Sequence, residues 1–462
     1  MAGKSKNIEM ITGDPKKAIV KLALPMMLSM LLIMLYNIAD SIWVAGLGAD
    51  ALAAVGFITP LFMVLVGLGN GIGAGANSLI ARYIGAGNIK QANNAALHGI
   101  LLSIVISVIF TIIIEVFMVP ILQFMGAGET IQYAMDYSYV IFGFLFVFVY
   151  SGVASAIFRS EGDMRRATIA IAVTAIMNII LDPVFIYVLN FGISGAAWAT
   201  VISATLSCLV MSYWIWGKKD LYLDLSLKNF NYQTQMITDN LQVAIPSTLE
   251  SLVFSMLAII INSLLVMAAD TTAVAVYTAS MRIVQLSMIP LIGLGTAVLT
   301  VCGVAFGARN YTNLKTAHSY AIKLGFAISI LLGAAMFIFS SQIAAVFSYT
   351  EASASLSPQI AHAISVLSLF VLAIPHGMMS SMMFQGVGKG TYSLLITLGR
   401  SLILESVFAY IFCFMFGWGV TGIYAGVVLG CFVGGTLGYL WAKFFIRKFK
   451  QISIRKYTPQ KE

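Results

Sequence analysis

Apolar runs of about 20 residues or more recur along almost the whole chain, and that recurrence leaves few ways to fold it. In lipid every backbone N–H and C=O must find its partner inside the protein, so such runs become transmembrane helices. Spans are expected near 18–44, 51–80, 95–121, 131–157, 167–190, 194–216, 240–268, 272–306, 316–347, 359–384, 391–416 and 419–446. The run at 272–306 is long enough to be tilted or broken. These spans and their connectors consume the 462 residues, leaving no stretch for a separate soluble domain. Composition agrees: only 10% of residues are charged, against about 25% in a soluble domain.

A net charge of +8 raises nucleic acid as a partner, but its placement rules that reading out. Connectors on one side hold Arg82 and Lys90; Arg159, Arg165 and Arg166; Lys218, Lys219 and Lys228; Arg309 and Lys315; and Lys389. The opposite connectors, near Asp50, Glu129, Asn190, Asp270, Glu351 and Trp418, hold no Lys or Arg. By the positive-inside rule both termini are expected in the cytoplasm, with the chain in the inner membrane. The tail Arg447, Lys448, Lys450, Arg455 and Lys456 then faces anionic headgroups. The N-terminal stretch is polar for too long to serve as a cleavable signal, so the first span directs insertion. Cys208, Cys302, Cys413 and Cys431 lie in apolar runs without CxxC spacing, which points to neither disulfides nor a metal site.

The chain also resembles itself. GNGIGAGANSLIARYIGAGN matches PLIGLGTAVLTVCGVAFGARN, so that Gly71, Gly73, Gly85 and Asn88 fall on Gly293, Gly295, Gly307 and Asn310. FRSEG (158–162) matches FQGVG (384–388), and GISGAAWAT is echoed by GVTGIYAGV. An even number of spans per repeat preserves orientation, so the repeats are expected to be parallel. The expected fold is all-α integral membrane, with twelve transmembrane helices in two six-helix bundles related by a pseudo-two-fold axis along the membrane normal. The expected division is 1–216 for the first bundle, 217–240 for a cytoplasmic hinge-like linker, 241–446 for the second bundle and 447–462 for the basic tail. Such a scaffold suits alternating access through a central cleft.

GDPKKAIVKLALPMM, LYNIADSIWVAGLG, ARYIGAGN, FRSEGD, NIILDPVFIY and GISGAAWAT together resemble the multidrug and toxic compound extrusion (MATE) family. LYNIAD with N-x-x-L-D-P points to its prokaryotic DinF-like branch. The resemblance implies a twelve-helix antiporter driven by an inward proton or sodium gradient. It also makes Tyr36, Asn37, Tyr137, Asn178 and Thr200 polar neighbours of an acidic site, and puts Ser155 where relatives carry Asn. Bending of the first span at Pro25 is the release step that the resemblance implies.

Ionisable groups inside the spans are functional candidates by default. Asp40 and Asp182 both fall in the outer half of the bilayer, counted at about 1.5 Å per residue from the cytoplasmic ends. Their repeat counterparts are Asn262 and, roughly, Phe408, so the charges are asymmetric on a symmetric scaffold. Two poorly hydrated acids at one depth hold a shared cation more readily than two charges, which is the property an antiporter needs. Asn178, one turn before Asp182, can donate to it. Glu250 and Arg282 each reach the midplane in adjacent spans and are expected to form a buried ion pair, with Arg282 the plainly intramembrane base. Glu115 and Glu405 are expected to make local polar contacts. Met27, Met30, Met34, Tyr137 and Ser155 are candidates for the substrate cleft, where flexible thioethers suit varied apolar ligands. His98, His318, His362 and His376 lack ligand spacing, and GNGIGAGA lacks the Gly-Lys-Ser/Thr ending of a phosphate loop.

The expectation is a monomeric, cofactor-free antiporter. It would export small amphipathic, often cationic, organic compounds in exchange for protons, with sodium as the alternative ion and membrane lipids as surroundings. A flippase for lipids or lipid-linked sugars would share the architecture but needs a cationic cleft; an intramembrane hydrolase fits the repeat poorly. The topology gives a direct test. A single cysteine placed at Asp50 or Asp270 should react with an impermeant maleimide on intact cells, and one at Lys228 or Lys389 only after permeabilisation. The reverse pattern would invert the assignment.

Overall fold

A computed structural model describes residues 2–218, 220–347 and 355–455. Lys219, Glu351 and Lys456, used above as connector and tail markers, lie outside them. Among the described residues there are helices and connectors but no strand. The helices are α1 (Ala2–Thr12), α2 (Pro15–Ala45), α3 (Ala49–Gly85), α4 (Ile89–Phe124), α5 (Ile131–Gly143), α6 (Leu145–Ser160), α7 (Met164–Pro183) and α8 (Gly192–Ser212). They continue as α9 (Thr234–Ala268), α10 (Thr271–Gly307), α11 (Tyr311–Ile338), α12 (Ser340–Phe347), α13 (Ser357–Gly386), α14 (Gly390–Thr397), α15 (Ser406–Tyr410) and α16 (Gly419–Arg455). Among the described residues eleven helical segments are long and apolar enough to cross a membrane, and α5 with α6, bent by 45°, make a twelfth when taken as one span. The long run expected to tilt or break is one unbroken helix, α10, which carries Pro290 in its interior.

The chain divides into two compact units, residues 1–13 with 24–248, and residues 14–23 with 249–462. In the first unit α3 packs on α4 and α6, and α7 on α8; in the second, α13 packs on α10, α11 and α16. The second unit's core gathers Ile261, Val284, Leu367 and Tyr424, with Tyr424 stacked on Tyr277 at 6.0 Å between centroids.

The internal repeat is visible in backbone detail. Asn88 and Asn310 both cap the following helix, accepting from Gln91 N and Asn313 N. Gly162 and Gly388 both adopt φ of +79°, a region that glycine enters without penalty. After Pro183 the chain widens into a π-helical turn, Val184–Val188, closed by Leu189 N→Val184 O and Phe191 N→Phe185 O. The turn Ile411–Met415 closes identically, by Phe416 N→Ile411 O and Trp418 N→Phe412 O.

The connector read as a hinge is bound along its length to the first unit. Asp220 pairs with Arg166, and Asp224 N donates to Asn93 Oδ1. Asn94 exchanges two bonds with Asn231, and Gln233 N donates to His98 Nε2 at 3.0 Å. Glu161 accepts from Leu223 N at 2.7 Å and Tyr222 N at 3.3 Å. Alternate residues Leu221, Leu223 and Leu225 are buried. Burial pushes the Glu161 carboxyl up to about 7 from 4.5, the two backbone donors offsetting only part of the effect.

Two tests follow from these contacts. A Cβ on Gly152 would lie 2.6 Å from the Gly69 carbonyl oxygen, whereas one on Gly56 would meet open space. Gly152→Ala should therefore cost about 1–3 kcal/mol and lower the thermal midpoint, while Gly56→Ala leaves it nearly unchanged; equal midpoints would refute close α3–α6 packing. Glu161 favours the protonated form when folded, so its contribution is fullest below the ordinary carboxyl range and is lost as pH rises toward about 7. The midpoint of the native protein relative to Glu161→Gln should fall between about pH 5 and about pH 8. A flat or rising difference would mean that the carboxyl is not buried as described.

Candidate functional site

The first unit brings two acids together. Asp182 is the penultimate residue of α7, fully buried just before Pro183 and the π-helical turn. Departures from α-helical winding of this kind free backbone groups and often mark functional sites. Asp40 sits on α2, close enough to Asp182 to act on it through space. Tyr137 of α5 is buried within the fields of both acids and of Tyr36. Asn178 Nδ2 donates to Asp182 Oδ1 at 3.1 Å and to Thr200 Oγ1 of α8 at 3.3 Å, and Thr200 in turn donates to Ala196 O at 3.0 Å. Three oxygens in this cluster lack a partner: Asp40 Oδ1, Asp182 Oδ2 and Asn178 Oδ1. Buried polar atoms are ordinarily satisfied, so three unpartnered oxygens in one cluster leave acceptors that a proton or a cation could use.

Beside the acids lies a cavity of about 190 Å³, reached through Tyr36, Asn178 and Thr200. Its apolar wall on α2 is Met26, Met30 and Ile33, one face at helical spacing. Met30 and Ser155 therefore line it as expected, but Met27 and Met34 do not; each follows a wall position by one residue and is turned about 100° away. Asn37 is likewise turned outward and exposed, its carbonyl accepting from Ser41 Oγ at 2.8 Å. Ser155 Oγ faces Met211 Sδ at 3.6 Å. Pro25 lies inside an unbroken α2, and its carbonyl accepts from Ser29 Oγ and Thr168 Oγ1, each at 3.0 Å. Arg159 is not in a connector: it belongs to the last turn of α6 and lines the cavity.

In the second unit the expected Glu250–Arg282 pair is not formed. Arg282 is exposed on α10. Glu250 is buried and accepts from Ser393 Oγ at 2.6 Å and from Gln385 Nε2 at 3.3 Å on both oxygens. The buried base is instead Arg400, whose Nε lies 3.9 Å from Glu405 Oε1 with Ser401 bridging the two. Five residues apart, Arg400 and Glu405 would diverge on an α-helix; they meet because Leu398–Glu405 winds as a π-helix. Gly377 leaves room beside the guanidinium and Gly434 beside the stem of the Arg400 side chain. The signals were an Arg inside a span and a Glu at π spacing. Glu405 Oε1 thus has its local polar contact, while Glu405 Oε2 and Glu115 Oε1 have no partner. His98, His318, His362 and His376 are engaged in hydrogen bonds with neighbouring helix or connector atoms. No group of three or more metal-ligating side chains occurs among the described residues.

A family model described as MatE matches residues 25–184 and 246–411. The FAD transporter of Shewanella oneidensis is 26% identical over 367 residues, covering 78% of each chain. The probable multidrug resistance protein NorM of Thermotoga maritima is 26% identical over 437 residues, covering 92% of each. Among solved structures, a MATE protein in complex with MaL6 superposes with a TM-score of 0.94 at 39% identity, covering 96% of this chain and 99% of the other. MATE structures described as straight and as bent superpose with TM-scores of 0.93, at 38% and 39% identity, covering 96% and 97% of this chain and 99% of each of theirs. Family match, relatives and twelve-helix fold agree: the chain belongs to the multidrug and toxic compound extrusion (MATE) family of membrane transporters.

Proposed function

We propose that the chain is a proton-coupled antiporter that exports amphipathic organic compounds from a prokaryotic cell across the inner membrane, with both termini in the cytoplasm and the monomer as the working unit. The observation that carries this reading is the Asp40–Asp182 cluster with its three unpartnered oxygens, placed beside an apolar cavity. A proton arriving from outside removes one negative charge from the pair, and its loss inside restores that charge. Each change alters which helix arrangement is stable, because an unneutralised carboxylate tolerates only a hydrated or well-partnered place. The cavity shares Asn178 and Thr200 with the cluster, so a change in charge there reaches the substrate wall directly. Pro25 is the natural flexing point of α2, since it supplies no amide to the helix; related structures described as straight and bent fit that role. The multidrug relatives and the FAD transporter support small organic compounds as cargo.

Sodium is the second reading. Asn178 Oδ1 is unpartnered and cannot take up a proton, yet with Thr200 Oγ1 and two carboxylates it makes an oxygen set that a hard cation could use. Vesicles containing the purified protein separate the two. Imposed proton and sodium gradients, applied singly, should show ethidium movement with the proton gradient alone. Asp40→Asn and Asp182→Asn should each reduce it at least about tenfold, because each abolishes one titrating carboxyl. Movement driven by sodium alone would replace the proton, and strong gradient-driven export by Asp40→Asn would remove Asp40 from the mechanism.

A further inference from the structure

The repeat supplies a control for Arg159. Gly162 N→Arg159 O in the first unit corresponds to Gly388 N→Gln385 O in the second, in turns with the same φ of +79°. Arg159 and Gln385 are therefore structural counterparts. Gln385 is fully occupied, donating to both oxygens of Glu250 and to Ser393 Oγ. Glu250 stands four residues after Pro246; four residues after Pro25 the first unit has Ser29, whose hydroxyl turns to Pro25 O and Thr168. The first unit thus carries a cation where the second carries an amide, and has lost the acid that would have answered it.

No other residue replaces that acid. Arg159 Nε has no hydrogen-bond partner, and none of the ion pairs among the described residues includes Arg159. The acids nearest in sequence are committed elsewhere, Glu161 to the backbone of Tyr222 and Leu223 and Asp163 to Arg166. The Asp40–Asp182 cluster is remote, since Asn178 lies some fourteen residues along α7, roughly 20 Å from the α6–α7 turn at 1.5 Å per residue. Of the residues lining the cavity, Arg159 alone has a formal charge. A guanidinium half-withdrawn from water against Met, Ile and Phe walls is costly unless an anion meets it, and its planar fork matches carboxylate and phosphate.

We propose that Arg159 anchors an anion subsite in this cavity, and that compounds carried by this chain present an acidic group, a carboxylate or a phosphate, alongside their apolar body. This rests on the export reading for its cavity, and it changes the cargo from simple cations to acidic or zwitterionic amphiphiles. A free amphiphile and an acidic lipid headgroup offer the same chemistry.

The test is binding to the full-length protein in nanodiscs, read by a fluorescent amphiphile that bears a carboxylate and by its methyl ester. No gradient is involved, so failure of the antiport reading leaves this result intact. In zwitterionic lipid the acid should bind about tenfold or more tightly than the ester. Arg159→Gln, which installs the counterpart residue, should bring that ratio close to one, and Arg159→Lys should keep most of it. Ester binding and the thermal midpoint report whether each variant is folded. Acidic phospholipid in the disc should leave the preference in place if the cargo is a free amphiphile. It should compete the preference away if the headgroup is the ligand. Equal binding of acid and ester by the native protein, an unchanged ratio in Arg159→Gln, or no binding of either probe would overturn the subsite.

Discussion

A carboxylate inside a helix bundle in lipid persists only where hydrogen bonds or a cation offset its lost hydration, and Asp182 has one oxygen supplied and one left over. Most of the first unit's polar design follows from that imbalance. Asn178 serves Asp182 with its amide nitrogen and is pinned in turn to Thr200, which fixes the amide oxygen on the unsatisfied side. Pro183 and the π-helical turn beyond it keep the backbone next to the acid from being an ordinary closed helix. Asp40 arrives from a different helix, α2, so the occupant of the cluster links two elements rather than decorating one. That is what makes an ion useful for coupling: its free energy depends on how α2 and α7 are arranged.

The second unit uses the same scaffold differently. Glu250 has donors on both oxygens, and Arg400, Ser401 and Glu405 Oε1 engage one another along a π-helical stretch, with Glu405 Oε2 left without a partner. Breaking one member of such a buried pair costs more than the pair contributes, so the network holds its helices in register rather than inviting a ligand. The same wide backbone turn occurs in both units, at Val184–Val188 and Ile411–Met415, yet only in the first does an acid, Asp182, stand two residues from it. Geometry was duplicated and chemistry was not.

What the sequence disclosed follows the same division. Spans, repeat and intramembrane acids are one-dimensional signals: an apolar run, a glycine pattern and a charge in the wrong solvent can each be read along the string. Contacts that depend on helical phase were harder. Met27 and Met34 were chosen by residue type, whereas the wall is Met26, Met30 and Ile33, a difference of one position. Arg400 was passed over because an isolated base in an apolar run reads as noise until the π winding brings Glu405 to it. Arg159 was assigned to a connector because FRSEG ends in a turn, although the helix runs through Ser160. Glu250 was given to Arg282 on depth alone, and depth says nothing of which side of a helix faces in.

The three differences that concern Arg400, Arg159 and Glu250 share a sign: more positive or neutral donor chemistry lies inside the units than the sequence shows. Arg282, the base that the sequence sets most plainly within a span, is exposed; the structure buries Arg400 in one unit and opens Arg159 onto the cavity of the other. The two differ in what their surroundings demand. Arg400 has Glu405 and Ser401, so its charge is spent within the protein. Arg159 has none, and an open cationic group in an apolar chamber selects its ligands by charge as strongly as the chamber's walls select them by shape. In the first unit, then, a cation-seeking cluster and an anion-seeking side chain are served by one cavity, set apart along α7. An occupant that is apolar in the middle and acidic at one end satisfies the Arg159 end without competing for the coupling ion, so loading of cargo and loading of ion need not exclude each other through direct contact and can be coupled through helix arrangement instead.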